Sequence, residues 1–229
     1  MVREHGTGST GHGRTVTDPD TTAVPPTATL RTSRVEAFSD GVIAIAATLL
    51  VLELHVPDAG QDIWSSLGHQ LPSLAAYVVS FLTILILWVN HHALFHAVER
   101  VDRVVLFLNG LLLLGISFLS YPTATLGRAL ESGEFERSAA VLYALTFALT
   151  SACFTALWAY LRAHPALLSP PARSTAGRAL RRSLLGPGLY AVSLLVGLLS
   201  APAALVVAAA VAAYFTLTPR HLRRQGPTP

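Results

Sequence analysis

The sequence predicts an all-α, polytopic membrane protein, and three observations carry that expectation. Of its 229 residues, 52% are hydrophobic and only 13% are charged, whereas a soluble domain carries about 25% charged residues. The apolar residues gather into runs of about 20, the helix length that crosses a hydrocarbon core. The charges sit at the edges of those runs instead of alternating along them.

Six spans are expected, at residues 35–56, 74–96, 104–126, 139–161, 184–200 and 201–217. The last two are short, and Ser200-Ala201-Pro202 is the only break between them. Proline is tolerated in the first turn of a helix, where its missing N–H has no intrahelical partner anyway, so a tight hairpin is favoured over one long helix. Residues 1–33, rich in Gly, Thr, Pro and Asp and without an apolar signal-peptide core, read as a disordered tail. Residues 34–218 read as one membrane domain and 219–229 as a second tail.

The arginines give the orientation. Arg3, Arg14, Arg31 and Arg34 precede the first span, Arg100 and Arg103 follow the second, and Arg162, Arg173, Arg178, Arg181 and Arg182 follow the fourth. Arg220, Arg223 and Arg224 follow the sixth, whereas the first loop carries Asp58 and Asp62 and no arginine. In the third loop Arg128 and Arg137 are offset by Glu131, Glu134 and Glu136. Basic loops stay inside, so both termini are expected in the cytoplasm. The net charge of +3 belongs to these flanks and argues against nucleic acid as a partner. The lone Cys153 excludes an intrachain disulfide and reads as a small apolar residue.

Ionisable residues inside a bilayer are costly and face partners or water. Asp40 enters the first span one turn before a run of Ile, Ala and Leu. It either pairs locally with Arg34, about 9 Å along the helix, or reaches the second span. The second span ends in WVNHHALFHAVERVDR, which brings Trp88, Asn90, His91, His92 and His96 to the same level, and Asn109 enters the third span there. Together with Ser39 these groups can satisfy one another and cross-link three helices. His92 and His96, four apart, have a spacing that can present two metal ligands on one face. With no HExxH signature and no cysteine cluster, satisfied structural histidines are the preferred reading, and neither a metal, another cofactor nor an enzymatic activity is expected.

On the rest of the first span, Phe38, Ile45, Leu49 and Leu52 fall in a stripe about 60° wide at about 100° per residue, with Asp40 about 140° from Ile45. Periodicity alone leaves lipid contact, ordinary packing and a dedicated surface all open for this ladder.

Arg34-x-x-x-Phe38-Ser39-Asp40 followed by GVIAIAATLLVLELHVP resembles the transmembrane protein 175 family of potassium channels in its single-repeat prokaryotic form. WVNHHALFHAVERVDRVVLFLNGLLLLGISFLSYPTATLG is similar to that family's second and third helices. The resemblance implies a six-helix subunit of a homotetramer in a prokaryotic cell membrane, its first helix lining a central pore that passes potassium ions. It also implies a constriction at Ile45, Leu49 and Leu52, a selectivity role for Thr48, and a structural polar network drawn from Arg34, Phe38, Ser39, Asp40, Trp88, Asn90, His91, His92 and Asn109. Tyr121-Pro122 departs from the Leu-Pro-Phe type of sequence expected there. Glu53, about 80° from Ile45, either raises cation concentration at the outer mouth with Asp58 and Asp62 or pairs at the interface. The rival expectation is a proton-coupled pathway through Asp40, His91, His92 and His96, although no inverted repeat of the kind transporters use is visible. A metalloenzyme built on the histidines is a third.

Overall fold

A computed structural model describes residues 32–57, 59–60 and 62–217, and its regular elements are helices. Helix α1 spans Thr32–Leu49 and tightens into a 3₁₀ turn over Leu50–Glu53. Short α2, Ile63–His69, is started by Asp62, whose carboxylate accepts from the Ser65 N–H at 2.8 Å. Next come α3 (Leu71–Ala97), α4 (Arg103–Phe118) and α5 (Ser120–Ser132). Helix α6 covers Glu136–Ala163, followed by α7 (Pro170–Ser183), α8 (Leu185–Gly197) and α9 (Ala201–Leu217).

Four helical runs are long and apolar enough to cross a membrane: Thr32–Glu53, Leu71–Ala97, Arg103–Ser132 and Glu136–Ala163. They match the first four expected spans, with α1 starting at Thr32, inside the expected tail. The fifth is shorter than the expected 184–200, since α8 has only 13 residues, whereas α9 has the expected bounds, its 17 residues running from Ala201 to Leu217. The rest of the expected tails, with Arg3, Arg14, Arg31, Arg220, Arg223 and Arg224, and Asp58 of the first loop lie outside the described residues.

Prolines explain the breaks. Pro122 has no N–H for the Phe118 carbonyl, and the chain answers with a 3₁₀ bond from Leu119 N to Ile116 O at 3.2 Å, which divides α4 from α5. Pro187 likewise leaves the Ser183 carbonyl without its i+4 donor. There the hydroxyl of Thr155 on α6 reaches the freed carbonyl at 3.0 Å, sharing its one proton with Ser151 O, also at 3.0 Å, and α7 runs into α8 through one residue, Leu184, that keeps helical dihedrals (φ −64, ψ −20). Freed carbonyls in apolar surroundings need such partners.

Helix α6 is the centre of the bundle, with 56% of its apolar window buried against 28–33% for the other three long runs. Its small residues Ala139, Ala140, Ala144, Thr150 and Ser151 are buried and let backbones approach closely. Gly115 of α4 sits so near Thr150 that a Cβ would lie 2.6 Å from its Oγ1, and at Gly127 of α5 a Cβ would lie 2.5 Å from Ser73 Oγ. Buried hydroxyls are paired between helices: Ser80 bonds Thr123 at 2.8 Å and Tyr143 at 3.1 Å, and Thr83 bonds Tyr190 at 3.2 Å.

At one end the loops are stapled together. Glu99 N donates to Leu167 O at 2.8 Å and Ser169 N to Ala97 O at 3.0 Å, around a bridge between Val98 and Leu168. Asp102 caps α4 through the Val105 N–H (2.9 Å) and receives the Tyr160 hydroxyl of α6 at 2.7 Å. The first turn of α1 joins the staple through Thr32 Oγ1 to Glu99 O at 3.4 Å.

Candidate functional site: the two faces of helix α1

Helix α1 packs antiparallel to α3, and the buried side of its contact is a polar knot. Ser39 Oγ donates to the Val35 carbonyl at 2.8 Å and accepts from Asn109 Nδ2 at 2.9 Å. Asn109 Oδ1 lies 2.9 Å from His91 Nε2. An amide oxygen only accepts, so His91 donates from Nε2, and its buried Nδ1 has no hydrogen-bond partner among the described residues. Ser39, His91 and Asn109 are all buried. The knot joins α1, α3 and α4.

Two further rungs lie one helical turn apart. The Trp88 indole N–H donates to Asp40 Oδ1 at 2.9 Å, and Glu36 Oε1 meets His92 Nδ1 at 2.9 Å. Stepping back four residues on α1 and forward four on α3 preserves the pairing, as antiparallel neighbours require. Glu36 was absent from the sequence-based candidates, although its position four before Asp40, facing a histidine four after Trp88, was a usable signal. His92 Nε2 in turn lies 3.0 Å from His96 Nε2.

Three expected members stand elsewhere. Asn90 donates to Ile86 O at 2.9 Å on its own helix and lines a cavity walled by α3, α6, α7, α8 and α9, because it is about 100° around the helix from His91. Arg34 is exposed with no ion pair among the described residues, so the local Arg34–Asp40 pairing gives way to Trp88. Phe38 is 68% exposed and belongs to the opposite face.

That opposite face is open. Ile45 is 60%, Leu49 43% and Leu52 74% exposed, while Val35, Ile43, Ala46 and Leu50 on the other side are buried. The 3₁₀ turn refines the expected stripe, since side chains three apart eclipse in that geometry and Leu52 stands over Leu49. Thr48 is exposed too, its hydroxyl bonded to Ile45 O at 2.9 Å, and a Cβ added at Gly41 would meet nothing within 4 Å. Glu53 lies 3.5 Å from Arg128 of α5, a long, half-exposed pair.

A family model described as "Endosomal/lysosomal potassium channel TMEM175" matches residues 34–120, the stretch that holds the knot and the ladder. A protein of Streptomyces collinus named as a potassium channel is 44% identical over 185 residues, covering 80% of this chain and 90% of that protein. The chain belongs to the TMEM175 family. The crystal structure of a lysosomal potassium-selective channel TMEM175 homolog from Chamaesiphon minutus superposes on this TMEM175-family chain with a TM-score of 0.74. Identity is 38%, over 81% of this chain and 96% of that one. A bovine protein named as an endosomal/lysosomal proton channel is 42% identical, but over only 36% of this chain and 19% of its own length. With four runs fit to span a bilayer and this family membership, the chain is a multi-pass membrane protein.

Proposed function

We propose that this chain is the subunit of a passive, potassium-preferring cation channel, a homotetramer with α1 of each subunit around the pore. The observation that carries the reading is the open aliphatic face of α1, Ile45, Leu49 and Leu52, on a helix whose other face is fixed by buried hydrogen bonds. One helix cannot enclose a pore, and an apolar ladder exposed on a rigidly oriented helix suits a ring of copies. Relatives that match along most of their length are named as potassium channels, which supports the ion.

In this reading both termini are cytoplasmic, six segments including the short α8 and α9 complete the subunit, and residues 34–218 form the channel domain in a prokaryotic cell membrane. Rings of Ile45, Leu49 and Leu52 form a hydrophobic constriction that gates by wetting and dewetting. Thr48, one residue off the ladder, supplies hydroxyls between the apolar rings for potassium over sodium. Glu53, tied loosely to Arg128 at 3.5 Å, adds negative charge at the outer mouth. The polar knot is structural, and no chemical step or bound cofactor is involved.

Flux from proteoliposomes tests this. An outward potassium gradient with a protonophore and a pH dye should give a strong signal that falls when sodium replaces potassium. No flux from a verified tetramer, under any gradient, would count against conduction by this assembly. Proton uptake without the protonophore would move Asp40 and the histidines from scaffold to pathway.

A further inference from the structure

We propose that Glu36, His92 and His96 form a binding site for a transition-metal dication of the zinc class, bridging α1 and α3. His92 and His96 occupy successive turns of α3, and their Nε2 atoms lie 3.0 Å apart. Two imidazole nitrogens on one ion, at metal–nitrogen distances of about 2.0–2.1 Å, stand about 3.3–3.4 Å apart on a tetrahedron and about 2.8–3.0 Å apart on an octahedron. The pair is therefore already spaced as neighbouring ligands are. The ring planes are perpendicular, with centroids 4.3 Å apart.

Glu36 completes the arrangement. Its carboxylate, 2.9 Å from His92 Nδ1, accepts the Nδ1 proton and leaves the lone pair of neutral His92 on Nε2. A ligating histidine commonly hands its second nitrogen to a carboxylate in this way, which fixes its orientation and raises its basicity. His96 moves its proton from Nε2 to Nδ1 when the ion enters. Candidate ligand atoms of all three residues lie within 4.8 Å of one another. The His92 side chain is 47% accessible and His96 is exposed, so water fills the remaining coordination positions and the ion has a route in.

The donor set selects the ion. Imidazole suits zinc, nickel and copper, whereas magnesium and calcium require oxygen ligands. The site does not depend on the channel reading, since it uses the side of α1 turned away from the ladder.

Zinc titration of the full-length protein in detergent at pH 7.5, followed calorimetrically, tests the site. One saturable zinc per chain is expected, unaffected by excess magnesium or calcium. His92→Gln and His96→Gln should abolish that binding, Glu36→Ala should weaken it at least about tenfold, and His69→Gln, on exposed α2, should leave it unchanged. Equal binding by wild type and the His92 and His96 variants, or displacement by calcium, overturns the proposal. Should those variants not yield folded protein, zinc-edge X-ray absorption on the wild type decides. Two imidazoles completed by light oxygen ligands support the site, and an all-oxygen shell or any other imidazole count overturns it.

Discussion

The Trp88 indole reaches Asp40 at 2.9 Å from the helix antiparallel to α1, and this single bond constrains the rotation of α1 about its own axis. A turn of α1 that broke it would also pull Ser39 from Asn109 and Glu36 from His92. Three polar rungs thus hold one face inward, and the outward direction of Ile45, Leu49 and Leu52 is a consequence of where the acid is anchored.

Removing the middle of the knot should cost stability. Asn109→Leu leaves the His91 Nε2 donor buried without its acceptor, a loss of about 1–3 kcal/mol. Thermal unfolding in detergent should show it, and a double-mutant cycle with Ser39→Ala should show strong coupling. Simple additivity of the two would contradict the chain of bonds from Ser39 through Asn109.

The two kinds of glycine should behave oppositely. Gly127→Ala pushes a methyl to 2.5 Å from Ser73 Oγ and 2.9 Å from Ser73 Cα, an overpacking of about 1–3 kcal/mol. Gly41→Ala meets open space and should leave the subunit's own unfolding unchanged. Loss of the oligomer on size exclusion, with a stable subunit, would place Gly41 between copies.

The proline kink offers a rescue. Thr155→Val strips the Ser183 carbonyl of the hydroxyl that replaced its helical donor, at a cost of about 1–3 kcal/mol. Adding Pro187→Ala restores a backbone N–H at the position four residues on, and the double variant should recover most of the melting temperature. Failure to recover would mean the hydroxyl matters for another reason.

Acid should loosen the staple. Burial pushes the Asp102 carboxyl up, but the Val105 N–H, the Tyr160 hydroxyl, the Val104 N–H and the charge of His164 together outweigh it and hold the pKa below the usual aspartate value. A carboxylate whose folded pKa is depressed stabilises fully above its unfolded value, about 3.9, and the contribution fades as pH falls through the folded value. Wild type should therefore lose melting temperature below about pH 4 more steeply than Asp102→Asn. Parallel acid profiles would remove Asp102 from the account.

On the open face, Ile45→Ser should raise potassium flux several-fold and reduce discrimination against sodium in vesicles. The buried side of α1 is untouched by this change, so oligomer and melting temperature should hold. Wild-type currents from an intact Ile45→Ser tetramer would remove Ile45 from the constriction.

Much of this was legible in the residues. Helical spacing placed Ser39 and Asp40 away from Ile45, the density of polar groups in WVNHHALFH pointed to Trp88 and His91, and Asn109 entered the next span at the same level. What spacing does not tell is which of two adjacent polar residues turns inward: Asn90 and His91 differ by about 100°, and the packing of α6, α8 and α9 decides between them. Glu36 was hidden because it reads as an ordinary interfacial acid until α3 is laid beside it. Helix α7 was hidden because its arginines at 173, 178, 181 and 182 look like a loop to any average of hydropathy. The gap at Leu119 depends on a proline three residues later, and an apolar window passes straight across it.

The anchoring of α1 has a mechanical consequence. With its first turns fastened at Glu36, Ser39 and Asp40, the helix is a lever whose fulcrum lies at that anchored segment. At 1.5 Å per residue, a 5° swing about Asp40 would carry Ile45 about 0.7 Å and Leu52 about 1.6 Å. Displacement grows along the ladder, so the rung furthest from the fulcrum travels most for a given tilt, and in the proposed pore Leu52 is where a small tilt would give the largest change of width.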